Sequence, residues 1–351
     1  MDTQTQQKTD RKAYLDYLRI LATFAVIFLH VSGSAKGEAD VNTFYWQVLN
    51  FLEGSVRWGV PVFVMISGAL FLNREIPVKK VYTSYVLRMV VAFFVWSFIY
   101  AVIRKGTIYE KLELFLCGEF HMWFIPMITG IYICLPFVKP LVSKEKTIKY
   151  FMLISFIFVF VIPEIIRLIS DFGGELSTTL AGDLGKTIDN MNMGKLVGYM
   201  SIFVLGFYLD KLDMSGYKCI VIYLLGASGF LFTIMLTAMV SLKTQQSSND
   251  YFGYHTVNVL FEAVLIFVLL KKTCLKNERI NALVARISKC CFGIYLVHPL
   301  SWALVRKIYL ISGVSSDAVV YVFITSVSVF LISLFVSWIL NFIPYVGRYV
   351  V

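Results

Sequence analysis

The sequence predicts an all-α, polytopic transmembrane helical bundle of about ten spans, with both termini in the cytoplasm. Of its 351 residues, 58% are hydrophobic and only 15% are charged, and the mean hydropathy of +0.74 is far from that of a soluble domain. Apolar stretches of about 20 residues, the length of one helical crossing, recur along the whole chain. None of them alternates as a barrel strand would.

The spans are expected near 14–35, 55–73, 82–103, 122–138, 149–169, 194–210, 219–242, 254–272, 291–311 and 318–343, in a single transmembrane domain covering 1–351. The first follows a charged cytoplasmic tail, 1–12, and no small-residue cleavage site follows it, so it is read as a retained span and not a signal peptide. It carries Arg19 and His30, and the residues between them are apolar except Thr23. Eleven helical steps turn through about 1100°, which leaves the two side chains within about 20° of one another and about 16 Å apart along the axis. An ionisable residue inside a span costs roughly 2.5 to 3.5 kcal/mol, so an aligned pair calls for a partner, a cavity or a chemical task. Snorkelling of Arg19 and capping by His30 are the plainer accounts.

The second span carries Arg57 near its start, is kinked or started by Pro61, and is opened by Ser67-Gly68 to close approach of another backbone or a thin ligand. Lys79 and Lys80 stand before the third span, and Arg88 lies near its start. The fourth opens at His121-Met-Trp123 and runs through Tyr132 to Pro136. An aromatic belt at the interface explains Trp123 without any function, whereas an imidazole at an outer helix start suits a site. After the fifth span, the polar stretch 170–193 is expected as an extracytoplasmic loop able to cover an external site. The sixth, seventh and eighth spans offer hydrophobicity and little else; His255 reads as an interface residue. In the ninth, Tyr295 and His298 share a face, and Pro299 biases His298 away from regular helix, toward a polar gap.

Lys and Arg are more numerous on the side that holds the N-terminal tail, and that excess places both termini in the cytoplasm. The net charge of +10 is then mainly a topology signal, and nucleic acid is not an expected partner because no basic soluble domain with interleaved aromatics is present. The cysteines lack metal spacing and no disulfide is expected. No His-Glu-x-x-His motif, phosphate loop or Gly-x-Ser-x-Gly elbow occurs, so no metal centre, nucleotide site or serine-hydrolase site is expected.

Taken together, Arg19 and His30, the run Val60 to Gly68, His121-Met-Trp123-Phe124 with Tyr132 and Pro136, and Gly293-Ile-Tyr295-Leu-Val-His298 resemble the acyltransferase-3 family of ten-span membrane O-acyltransferases, from about residue 12 to 349. The resemblance implies transfer of an acyl group, usually acetyl, from cytoplasmic acetyl-CoA or another acyl-CoA to a hydroxyl of a cell-surface glycan or lipid-linked saccharide, in the inner membrane of a bacterium. It implies His30 as general base or acyl relay and Arg19 facing the donor. Ser67, Lys79, Lys80 and Arg88 are assigned with Arg19 to the donor; Arg57, His121, Trp123, Tyr132 and His298 are assigned to the acceptor. Many relatives carry a denser arginine cluster where this chain reads Lys79-Lys80 through Arg88. No esterase-like or racemase-like domain is appended, so a stand-alone enzyme is expected. From another class, the same composition fits a transporter for a small polar solute such as an amino acid.

Overall fold

The computed structural model describes residues 12–275, 277–312 and 317–351. Residues 1–11 of the tail, with Lys8 and Arg11, and Lys276 of the charge census lie outside the described residues. The described chain is helical without strands, and ten helical segments are long and apolar enough to cross a membrane: Ala13–Gly37, Phe44–Phe71, Val78–Ile103, Ile108–Leu141, Glu145–Phe172, Met193–Lys211, Tyr217–Thr244, Asp250–Thr273, Glu278–Tyr309 and Ala318–Asn341.

Several features differ from those expected, and the fourth span is preceded by a further helix, Ile108–Cys117. The second span starts at Phe44, well before 55: Thr43 caps it, Oγ1 accepting from the Trp46 N–H at 3.2 Å, and a turn at 55–58 joins helix Phe44–Gly54 to helix Gly59–Phe71. The ninth helix starts at Glu278, not 291, because hydropathy ends a span at Arg286 and Lys289 whereas the helix continues through them. It also runs unbroken through Pro299 to Ser312, so His298 sits in helix and not in an irregular gap. The stretch 170–193 is not a plain loop: it folds as helix Glu175–Asp189 over the end of the fifth span, where a Cβ on Gly185 would touch Ile166 Cγ2 at 3.4 Å.

Polar ties at the two faces of the bundle follow the alternation of ten crossings. On the face where the first span begins, Asp210 at the end of the sixth pairs with Lys12 at 2.6 Å, accepts from Asn73 just past the second at 2.6 Å, and accepts from Tyr14. Ten residues into the third span, Arg88 donates to the main-chain oxygen of Val351 at 2.6 Å, and Val351 itself is buried among the spans beside Ala92 and Trp96. On the opposite face Lys36, at the end of the first span, pairs with Glu53 at 2.8 Å and donates to Asn249 at 2.9 Å.

Between the faces, small residues decide which helices touch. A Cβ on Gly68 would fall 1.7 Å from the Phe203 carbonyl oxygen, and one on Gly206 would fall 2.1 Å from that of Met65. The second and sixth spans therefore meet backbone to backbone. Gly68 serves this helix contact, which is the packing alternative for Ser67-Gly68; Ser67 faces the other way.

Candidate active site

A cavity of about 510 Å³ lies inside the bundle, walled by the first, second, third, fourth and ninth spans, with Tyr254, Asn341 and Gly347 completing it. Arg19 and His30 both line it, so the common face expected of the first span is its inner wall. Since the two residues are about 16 Å apart along that helix, the cavity is elongated and has two chemically distinct ends.

At the first end Arg19 donates to Ser288 Oγ at 2.7 Å and pairs with Asp16 at 3.3 Å, while Ser288 Oγ donates to the same Asp16 oxygen at 2.7 Å. The intramembrane guanidinium is thus balanced by a carboxylate one helical turn earlier. Arg88 and Lys289 also line this end. The Arg88 guanidinium lies 5.3 Å from the Phe292 ring, and its Nε is buried without a hydrogen-bond partner. Three cations therefore border one end, with Val26, Phe63, Ile66 and Phe292 forming apolar wall beyond them.

At the other end imidazoles from three separate spans converge. The ring of His30 lies 5.4 Å from that of His298, nearly parallel at 15°, and His121 lies 5.0 Å from His298, edge to face. His121 is 1% exposed and occupies the one-turn helix Phe120–Trp123, released from the preceding helix by Gly118, whose φ of +78° suits glycine. Neither of its ring nitrogens makes a hydrogen bond of normal geometry, although the Leu296 carbonyl, which accepts from Tyr100 Oη at 2.7 Å, lies nearby. His298 Nδ1 lies 2.6 Å from the Tyr295 carbonyl oxygen. A carbonyl only accepts, so Nδ1 carries the hydrogen; Nε2 is buried without a partner.

The rim beside the imidazoles is aromatic. Trp123 stacks on Tyr254 at 5.7 Å and 19°, with Tyr199 at 5.9 Å. Arg57 lies 5.3 Å from the Tyr254 ring, anchored by Nε and Nη2 to the Phe252 carbonyl oxygen at 2.9 and 2.7 Å and by Glu53 at 3.1 Å.

The residues singled out from sequence therefore divide. Arg19, His30, Ser67, Arg88, His121, Trp123 and Tyr132 line the one cavity. Tyr132 is held by the Phe71 ring at 4.4 Å, and Ser67 Oγ donates to the Phe63 carbonyl at 3.0 Å. Lys79 and Lys80 are exposed in the first helical turn of the third span, Val78–Lys80, and do not line the cavity. Arg57 stands behind Tyr254, and His298 stands behind His30 and His121, both outside the lining. His255 is not a surface residue but packs against Tyr199 at 4.5 Å and Phe160 at 6.1 Å.

Sequence reading passed over Asp16, Ser288, Lys289 and Tyr254. Asp16 carried a usable signal, standing three residues before Arg19. Lys289 was assigned to a loop only because the ninth span was started too late. Among the described residues, no group of three or more His, Cys, Asp or Glu side chains could hold a metal ion.

No curated protein and no solved structure matches the chain. A family model described as an acyltransferase domain matches residues 12–341, nearly the whole chain. With ten candidate spans and an apolar and cationic cavity among them, the protein is a multi-pass membrane acyltransferase, and the chain belongs to the acyltransferase-3 family.

Proposed function

We propose that the protein is an O-acetyltransferase of a bacterial inner membrane, moving an acetyl group from cytoplasmic acetyl-CoA to a hydroxyl of a cell-envelope glycan or lipid-linked saccharide. The observation that carries this is the single cavity joining Arg19 to His30, cationic at one end and lined by imidazole at the other. The excess of Lys and Arg on the face of the first span's start supports placing the cationic end toward the cytoplasm. There Arg19, Arg88 and Lys289 would take the donor's phosphates, and the unpartnered Nε of Arg88 suits an anionic group. Lys79 and Lys80 have no part in this arrangement.

The apolar wall between the ends would carry the donor's extended arm toward His30. The acceptor hydroxyl would enter past Trp123 and Tyr254, since aromatic faces suit the apolar faces of sugar rings. As the hydroxyl oxygen bonds to the acyl carbon, the carbon–sulfur bond breaks. His30 accepts the hydroxyl proton and returns it to the departing thiolate.

The test is incubation of the purified protein in lipid with acetyl-labelled acetyl-CoA and envelope saccharides, comparing wild type with His30→Ala. Label transfer that needs His30 is expected. Turnover unaffected by His30→Ala would remove the mechanism, and uptake of a labelled solute independent of acyl-CoA would favour a transporter.

A further inference from the structure

Pro299 lies one residue beyond His298, inside a continuous helix. Proline has no N–H, so the carbonyl four residues earlier, that of Tyr295, loses its helical donor. His298 Nδ1 occupies that vacancy, 2.6 Å from the Tyr295 oxygen. The ring hydrogen is thereby committed, and the neutral imidazole presents a bare lone pair at Nε2. That nitrogen is buried, has no protein partner, and belongs to the ring lying nearly parallel to His30 at 5.4 Å. Leaving such an acceptor unsatisfied is costly, which favours any state in which a donor reaches it.

We propose that His298 positions His30: when substrates close the site, Nε2 of His298 accepts a ring N–H of His30, so that the other nitrogen of His30 faces the cavity as a lone pair. The chain of groups is Tyr295 carbonyl, His298, His30, acceptor hydroxyl. It has the form of a base oriented by a third group, and Pro299 is the residue that sets it. Hydrogen bonds of this kind are commonly long in resting enzymes and tighten with substrate bound. The inference rests on His30 being the reactive histidine of the proposed acetyl transfer.

The chain has four histidines, so isotopic labelling of histidine nitrogens gives a spectrum of four rings in the protein reconstituted in lipid. His298 is expected in the Nδ1–H form in wild type. In Pro299→Ala a backbone N–H competes for the Tyr295 carbonyl, and a mixture of tautomers is expected. His298→Asn retains a donor for that carbonyl and lacks the acceptor, so it separates helix repair from positioning. It is expected to change which nitrogen of His30 is protonated with acetyl-CoA bound and to lower turnover on the order of 10²-fold.

An Nε2–H tautomer for His298 in wild type overturns the proposal without any variant. So does a His298→Asn protein whose His30 signals and turnover match wild type. The nitrogen signals require no acceptor, so failure of the acetyl-transfer reading and failure of this coupling are separate results.

Discussion

The two ends of the cavity are held in opposite ways. Around Arg19 every element of the grip is polar: Asp16 balances the charge, Ser288 bridges the two, and both lie within hydrogen-bonding reach. Around His30 the grip is packing: rings meet rings at 5.0 to 5.4 Å, and nitrogens of His121 and His298 stay without partners. A cation fixed against a carboxylate and a hydroxyl is suited to hold an anionic ligand at fixed charge. A group with open nitrogens is suited to gain and lose a proton. Under the proposed function, the contrast fits binding at one end and chemistry at the other.

The sharpest way to break that assignment is His30→Ala, expected to lower label transfer by about 10³-fold while leaving acetyl-CoA affinity unchanged, as read by turnover beside equilibrium binding. Equal loss of both would show that the ends are not separable. Gly68→Ala forces a methyl onto the Phe203 carbonyl, 1.7 Å away, and is expected to destabilise the fold by about 3 kcal/mol. Thermal unfolding in detergent should show it, with both ends impaired alike. Arg19→Lys keeps the charge and loses the planar guanidinium, whose Nη1 meets both Asp16 and Ser288 while its other donors stay open to a ligand, so KM for acetyl-CoA should rise about 10-fold with kcat changed less. Trp123→Ala removes the stack on Tyr254 and should raise KM for the acceptor by roughly 5-fold without touching donor binding. The smallest effect belongs to the double variant of Lys79 and Lys80 to Ala, whose donor KM should stay within about 2-fold of wild type because both side chains are exposed and outside the cavity.

Legibility in the sequence followed the range of the interaction. The spans were readable from composition, and the shared face of Arg19 and His30 from helical periodicity alone, because both are local. Errors arose where a helix carries polar residues that neighbours satisfy. The ninth span was started too late because Ser288 and Lys289 look like loop, yet Ser288 is the partner of Arg19. His298 was expected to leave the helix because Pro299 follows it, whereas its own side chain repairs the missing hydrogen bond. Lys79 and Lys80 were plausible phosphate ligands by position along the chain, but position along the chain does not say which way a short turn faces.

By itself the sequence determined a ten-span helical membrane protein, the alignment of Arg19 with His30, and the motifs by which the family is recognised. Those follow from hydrophobicity and from the 3.6-residue turn, which act over neighbouring residues. Only the tertiary structure decided that His121 and His298 join His30, that Arg88 and Lys289 join Arg19, and that Gly68 serves a helix contact. Those depend on which helices approach closely, and in a bilayer that choice rests on steric fit at small residues and on a few polar ties between distant positions, not on any pattern within one segment.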